Sequence, residues 1–329
     1  MQIHHQTRWA PTERRRPHDL LLLLAKDCRH IYHVPDILFS ANEIFIELAT
    51  MSSRSRSALT KKLTAALASR SSRQILRKIP DPRAIEQSRS LIDFTSNDYL
   101  SFTTSTCLRN HFTSKLSYSP QVLGSGGSRL LVHTPAHAAL EARLAHFFGV
   151  QAALLFNSGF DANSGFFACV PQDGDVLVYD EYIHASVHDG MRSSRLSPSK
   201  TETQSLFPFA HNSIPELRSI LSHLSSTRLA LEEGRSSLFI SVESLYSMDG
   251  TFAPLADIVQ VMEEVFPRGN AYLIVDEAHA TGVYGPQGRG RVAQLGLESK
   301  VFLRLCTFGK ALGGTGGLSP VIFLRKLVC

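Results

Sequence analysis

Cysteine is scarce in this 329-residue chain, which has five in all. Cys28, Cys107, Cys169, Cys306 and Cys329 lie far apart, and no CxxC pair occurs. An odd count without close spacing argues against a disulfide framework and against a zinc cluster, and it suits a reducing compartment. No metal site is expected. Tryptophan occurs once, at Trp9. No apolar run approaches the roughly 20 residues needed to cross a bilayer, so no membrane span is expected. The most apolar short stretch, Leu20 to Ala25, follows Arg14-Arg15-Arg16 and ends at Lys26-Asp27 without a small-residue cleavage pattern. It does not read as a secretory signal. Internal repeats are absent, and so is a GxxxxGK[ST] loop.

What is present is an ordinary globular composition, 43% hydrophobic and 19% charged. The net charge of +5 is unevenly spread. Residues 1–90 hold 16 Lys+Arg against 8 Asp+Glu, whereas residues 91–329 hold 18 against 21. A nucleic-acid groove needs basic residues distributed over the folded body, so nucleic-acid binding is not expected. Residues 1–50 lack a clean period and read as a disordered or misannotated extension, with Met51 as an alternative start. Residues 51–90 form a basic N-terminal arm. From Met51 to Pro80 there are eight basic residues, seven serines and no acid. That composition fits a mitochondrial transit peptide. It fits equally a basic first helix, since Leu59, Leu63, Ala66, Leu67, Ile75 and Leu76 fall near helical spacing. The compartment is therefore read as intracellular, cytoplasmic or organellar.

From Leu91 the texture changes. Leu91 to Phe94 reads as a short strand, and Ala152 to Phe156, Asp175 to Tyr179, Ser237 to Val242, Tyr272 to Val275 and Val301 to Thr307 are short apolar runs. Such runs suit strands buried on both faces. Between them, Pro135 to Phe148, Ile214 to Leu224 and Leu255 to Val265 carry helical periodicity, and Ser193 to Ser205 reads as a surface loop. The alternation predicts an α/β fold with a mostly parallel sheet and flanking helices over residues 91–317. Ligands of such sheets sit beyond the C-terminal strand ends.

Polar residues gather at those ends. After the first long strand comes Asn157-Ser158-Gly159-Phe160, a small-residue turn opening a helix, where free N–H groups suit a phosphate. An ordinary strand–helix turn would look the same. His184 follows the next strand and suits stacking or acid–base work, or a structural role. Glu243 and Ser247 follow the next, with Asp249-Gly250 closing a turn. Asp276-Glu277-Ala278-His279 ends the fourth. A carboxylate buried there requires a positive partner, and a pyridinium N–H is one. The tetrapeptide also resembles a magnesium-binding DEAH box, but without the upstream phosphate loop an ATPase is rejected. Last comes Thr307-Phe308-Gly309-Lys310. A lysine in a Gly-flanked turn after a buried strand suits Schiff-base chemistry, because burial lowers its pKa. A lone lysine is usually a solvated surface residue. Order and spacing change the odds, since Asp276 precedes Lys310 by 34 positions and both follow strands.

Taken together these motifs resemble the α-oxoamine synthases of the fold type I pyridoxal-phosphate (PLP) enzymes, and most of all their 8-amino-7-oxononanoate synthase branch. The likeness runs from about Lys62 to Gly317. It includes Asn97-Asp98-Tyr99-Leu100, Gly124-Ser125-Gly126-Gly127-Ser128-Arg129, Leu140-Glu141, Ser158-Gly159-Phe160 and His184-Ala185-Ser186. Ser247-Met248-Asp249-Gly250, Asp276-Glu277-Ala278-His279, Gly288-Arg289-Gly290 and the lysine turn complete it. The resemblance implies an aspartate aminotransferase-like large domain and PLP as cofactor. It makes Lys310 the Schiff-base lysine and mover of the α-proton, pairs Asp276 with the pyridine nitrogen and stacks His184 on the ring. Lys310, His184 and Asp276 are thus the implied catalytic residues. It implies cofactor contacts from Gly159, Phe160, Glu243, Ser247, His279 and Thr307, and substrate contacts from Arg77, Asn97 and Ser128. The implied reaction condenses an amino acid, L-alanine in this branch, with an acyl-CoA, pimeloyl-CoA, losing CoA and CO2 to give an aminoketone for biotin. A homodimer is implied, with the Gly124–Arg129 loop as a candidate to cross the interface. Other members of the group, using glycine with acetyl-CoA or serine with palmitoyl-CoA, are the alternative, as is an inactive relative or a regulatory partner subunit.

After Gly317 the likeness stops. Residues 318–329 form an atypical tail, and the family's C-terminal small domain is missing. The resemblance therefore implies a C-terminally truncated chain, with weakened PLP binding and little synthase activity as written.

Overall fold

A computed structural model describes residues 57–79, 81, 92–120, 122, 124, 126–132, 134–196 and 204–321. The extension 1–50 and most of the tail 318–329 lie outside the described residues. The chain divides into two units, Met1–Asp93 and Phe94–Cys329. In the first, helix α1 (Ala58–Ser72) is capped by Ser57, whose side chain accepts from Thr60 N–H. None of its residues is buried. Leu59 and Leu63 are exposed, so the helical spacing seen in the sequence makes a helix without an occupied apolar face.

The second unit contains α2 (Thr106–Ser117), α3 (Pro135–Phe148), β1 (Ala152–Phe156), α4 (Gly159–Cys169), β2 (Val176–Asp180), α5 (Ala185–Ser193), β3 (Leu206–Phe209), α6 (Ile214–Thr227) and α7 (Leu229–Glu232). It continues with β4 (Leu238–Glu243), α8 (Leu255–Val265), β5 (Ala271–Asp276), α9 (Arg291–Gln294), β6 (Leu303–Thr307) and β7 (Gly317–Val321). One sheet runs β1-β7-β6-β5-β4-β2-β3. Strands β6, β5, β4, β2 and β3 are mutually parallel. Strand β7 lies antiparallel between β1 and β6.

The α/β expectation holds, and its physical cause is visible in the alternation of the strands. Val176, Val178, Leu238, Ile240, Val242, Leu273 and Val275 pack on one face, against Leu217, Leu221 and Leu224 of α6 and Ile258, Val259 and Met262 of α8. The intervening Leu177, Phe239 and Ile274 pack on the other, against Phe166 and Phe167 of α4 and Val187 and Met191 of α5. Period-two side chains apolar on both faces need a helical layer on each side. Each such buried side chain contributes roughly 1.5–3 kcal/mol. The helices begin on local signals. Thr134 caps α3 with Pro135 in the first turn, and Gly149 ends it in the left-handed conformation at φ 67°. Ser158 caps α4 by accepting from Asp161 N–H, and Ser213 caps α6 by accepting from Glu216 N–H.

Three segments differ from the sequence reading. Ile92 to Phe94 is not a strand, and its apolar side chains are 80% and 89% exposed at Ile92 and Phe94. Strand β3 falls in what read as featureless chain. It contains Pro208, which an edge strand tolerates because one row of its N–H groups needs no partner. The segment after Gly317 opens with β7, although Pro320 argues against an interior strand.

Candidate active site

Strand ends β2, β4, β5 and β6 all point the same way, and their polar termini converge. Glu243 ends β4 directly opposite Asp276 at the end of β5. Both carboxylates are buried, at 3% and 5% exposure. Asp276 takes Asn163 Nδ2–H on Oδ2 at 2.7 Å and the Ala278 N–H on Oδ1 at 2.9 Å. Each oxygen keeps acceptor capacity for a further donor. Glu243 is pushed up to about 8, first by burial and then by the Asp276 charge, so its carboxyl is protonated near neutrality.

Lys310 follows β6 in the turn that Gly309 opens. Its Nζ donates to His279 Nε2 at 2.8 Å. On the other side of that imidazole, Nδ1 meets Tyr99 Oη at 2.7 Å, and Tyr99 O–H donates to Asn97 Oδ1 at 3.0 Å. Tyrosine has one proton to give, and it is spent on Asn97. The proton of His279 therefore sits on Nδ1, leaving Nε2 to accept from the lysine. Burial, then the Lys310 charge, lowers His279 to about 4, which keeps the ring neutral. Burial likewise lowers Lys310, while Asp276 and Glu243 pull it back up. The arrangement yields an amine held in place, partly desolvated and flanked by acceptors.

His184 caps α5, its Nδ1 accepting from Ser186 N–H at 3.2 Å and meeting Ser186 Oγ at 2.7 Å. Phe160 sits edge-on to its ring at 6.2 Å. At the start of α4, an added Cβ on Gly159 would lie 3.3 Å from Thr307 Cβ, a tight contact, so glycine eases the close approach of the helix N-terminus to the β6 end. Thr307 Oγ1 accepts from Gly309 N–H at 3.3 Å. A helix N-terminus beside a hydroxyl suits a phosphate.

Lys310, His279, Asp276, Glu243, His184, Phe160, Gly159, Thr307 and Asn97 thus gather around the carboxyl ends of the parallel strands. Three predicted residues make no described contact with these groups. Ser247 is exposed in the turn between Tyr246 and Gly250. Ser128 is exposed in its own turn, accepting from Leu130 N–H. Arg77 is exposed in the first unit. Sequence reasoning gave no role to Tyr99, Asn163 or Ser186. All three lay inside or at the end of stretches the sequence singles out, Asn163 closing the turn that runs from Asn157, but their contacts became visible only through the fold. It also passed over Glu277 and Arg304. Both are fully buried, with Nη2 and Oε2 2.9 Å apart, and Glu277 Oε1 also takes Val292 N–H at 2.8 Å. They form a structural pair behind the site.

The amine fits an aldehyde, the buried carboxylate a pyridinium, the imidazole a ring face and the α4 terminus a phosphate. This sheet and donor set define the PLP-dependent transferases. Residues 89–319 match the family Aminotransferase class I and II, and the chain belongs to it. An 8-amino-7-oxononanoate synthase of Emericella nidulans is 47% identical over 232 residues, covering 70% of this chain and 55% of that protein. Aminoacyl transferase sphA of Aspergillus fumigatus is 42% identical over 229 residues, covering 69% and 47%. Among solved structures, one of SPT with PLP superposes with a TM-score of 0.58 at 29% identity, covering 70% of this chain and 52% of that one. The chain spans about half the length of the curated relatives it matches. PLP is the cofactor of this family.

Proposed function

We propose that this chain carries the cofactor-holding large domain, residues 91–317, of an α-oxoamine synthase, which joins an amino acid to an acyl thioester with loss of CoA and CO2. The observation that carries the reading is the pairing of a desolvated lysine, Lys310, with the neutral imidazole of His279, beside the buried Asp276 carboxylate. PLP, when bound, supplies an aldehyde for an amine and a ring that withdraws electrons from an amino-acid α-carbon. Asp276 accepts a ring N–H and holds that proton in place. Lys310 Nζ takes up the α-proton, and burial, which lowers its pKa, makes it a better base than an exposed lysine. His279 Nε2 orients Lys310 and leaves its own proton on Nδ1. His184 covers one ring face. Thr307 Oγ1 and the N–H groups at Gly159 and Phe160 hold the phosphate. Glu243, protonated near neutrality, and Ser247 add hydrogen bonds to the cofactor, and Arg77, Asn97 and Ser128 serve the substrates. L-Alanine and pimeloyl-CoA are the substrates favoured, in line with the relative at 47% identity. Serine-type substrates are the second reading, supported by the likeness to SPT. The active assembly is a homodimer, and the compartment is cytoplasmic or organellar, since the basic composition from Met51 fits a mitochondrial transit peptide and a basic first helix equally. Among the described residues no helix is long and apolar enough to cross a membrane.

The test is α-proton exchange. With PLP, the chain is expected to exchange the α-proton of L-alanine for deuterium, and Lys310→Ala to do so about 100-fold or more slowly. Equal rates in the two proteins would refute the assignment. CoA release from pimeloyl-CoA against palmitoyl-CoA separates the two substrate readings.

A further inference from the structure

Asn163 is 2% exposed and lies on α4, one turn in from the candidate phosphate site. Its Nδ2 carries two protons and both are committed. One goes to Asp276 Oδ2 at 2.7 Å and the other to Ser186 Oγ at 3.0 Å. Ser186 is fully buried. Its oxygen takes the Asn163 proton, and because the Ser186 backbone N–H already donates to His184 Nδ1, its single hydroxyl proton is directed to that nitrogen, 2.7 Å away. The backbone N–H of Ser186 reaches the same nitrogen at 3.2 Å. His184 Nδ1 is thus a double acceptor, and its proton lies on Nε2. The helices α4 and α5 come close enough for this at Gly190, where an added Cβ would lie 2.7 Å from Phe167 Cβ and 3.0 Å from the Ser164 carbonyl.

We infer that Asn163 and Ser186 are positioning residues that join Asp276 to His184 in one directional hydrogen-bond relay. The relay holds Asp276 as a pure acceptor toward the ring nitrogen and fixes His184 as the Nε2–H tautomer. Its consequence for the cofactor rests on the proposed function, but the tautomer is a property of the chain alone.

The experiment uses the full chain, labelled with 15N-histidine and free of cofactor, with His184 assigned through His184→Gln. Long-range 1H–15N spectra are expected to show His184 as Nε2–H. In Asn163→Asp, which keeps the side-chain size, the new carboxyl and Asp276 share one proton between their facing oxygens, which leaves the other new oxygen to accept from Ser186, whose oxygen then accepts from His184. The tautomer ratio should move toward Nδ1–H by about tenfold or more. In Asn163→Asp combined with Ser186→Ala that response should vanish, because the hydroxyl link is cut. Nδ1–H in the unaltered chain, no change in Asn163→Asp, or a change that survives without the Ser186 hydroxyl would each overturn the relay. If Asn163→Asp does not fold, Ser186→Ala alone decides. Loss of one donor should shift the ratio about fivefold toward Nδ1–H, and an unmoved ratio contradicts the relay. PLP titration is a separate arm. Ser186→Ala should weaken PLP binding about fivefold, whereas failure of every form to bind PLP would overturn the cofactor consequence alone.

Discussion

At the scale of single residues, the site works by separating protonation states that would otherwise coincide. Glu243 and Asp276 are neighbours across two strand ends, and burial pushes Glu243 up to about 8 while Asp276 holds two N–H donors. The native state keeps the Glu243 proton at pH values where the unfolded chain, with its pKa near 4.5, has lost it. Stability from this group is therefore lost as pH rises from about 4.5 toward 8. Glu243→Gln is expected to flatten that slope and to stabilise the protein at pH 8 by on the order of 2 kcal/mol. Denaturant midpoints at pH 6 and 8 check it, and an unchanged slope counts against a protonated Glu243. His279 behaves in the opposite sense. Held near 4, it stays neutral at pH 6, so its NMR resonances should not titrate between pH 5.5 and 7.5, where an ordinary histidine does. The sequence made His279, Lys310 and Asp276 legible because each follows a buried strand in an ordered motif. It could not reveal Tyr99 as the partner of His279 Nδ1, since 180 positions separate them and only the fold closes the gap.

At the scale of elements, the close approaches are made by glycine. An added Cβ on Gly317, at the start of β7, would fall 2.5 Å from Gly159 N–H nitrogen. Gly317→Ala is expected to displace the α4 N-terminus and weaken PLP binding about tenfold or more, measured by fluorescence titration. Binding at the unaltered strength would show that the α4 terminus does not hold the phosphate. Behind the site, Arg304 of β6 spans Glu277, the Phe148 carbonyl at 3.2 Å and the Arg289 carbonyl. Arg304→Met strands a buried carboxylate and should cost about 3–5 kcal/mol of stability, read from urea unfolding. The parallel strands and long helices were readable because apolar runs and caps are local signals. Strands β3 and β7 were not, because Pro208 and Pro320 break the pattern that a strand usually shows. Ile92 to Phe94 erred in the other direction, since a short stretch with alternate apolar residues looks like a strand whether or not a sheet receives it.

At the scale of the molecule, the basic charge lies in the N-terminal stretch, whereas residues 91–329 are acidic on balance and carry the candidate cofactor residues. All candidate cofactor residues lie between Phe94 and Val321. The central claim is that Lys310 is the covalent attachment point for PLP. Incubating the full chain with PLP, reducing with borohydride and mapping the peptides by mass spectrometry tests it most directly. The account predicts one pyridoxyl group, on Lys310, and none in Lys310→Ala. A label spread over the exposed lysines, or retained after Lys310→Ala, would contradict it.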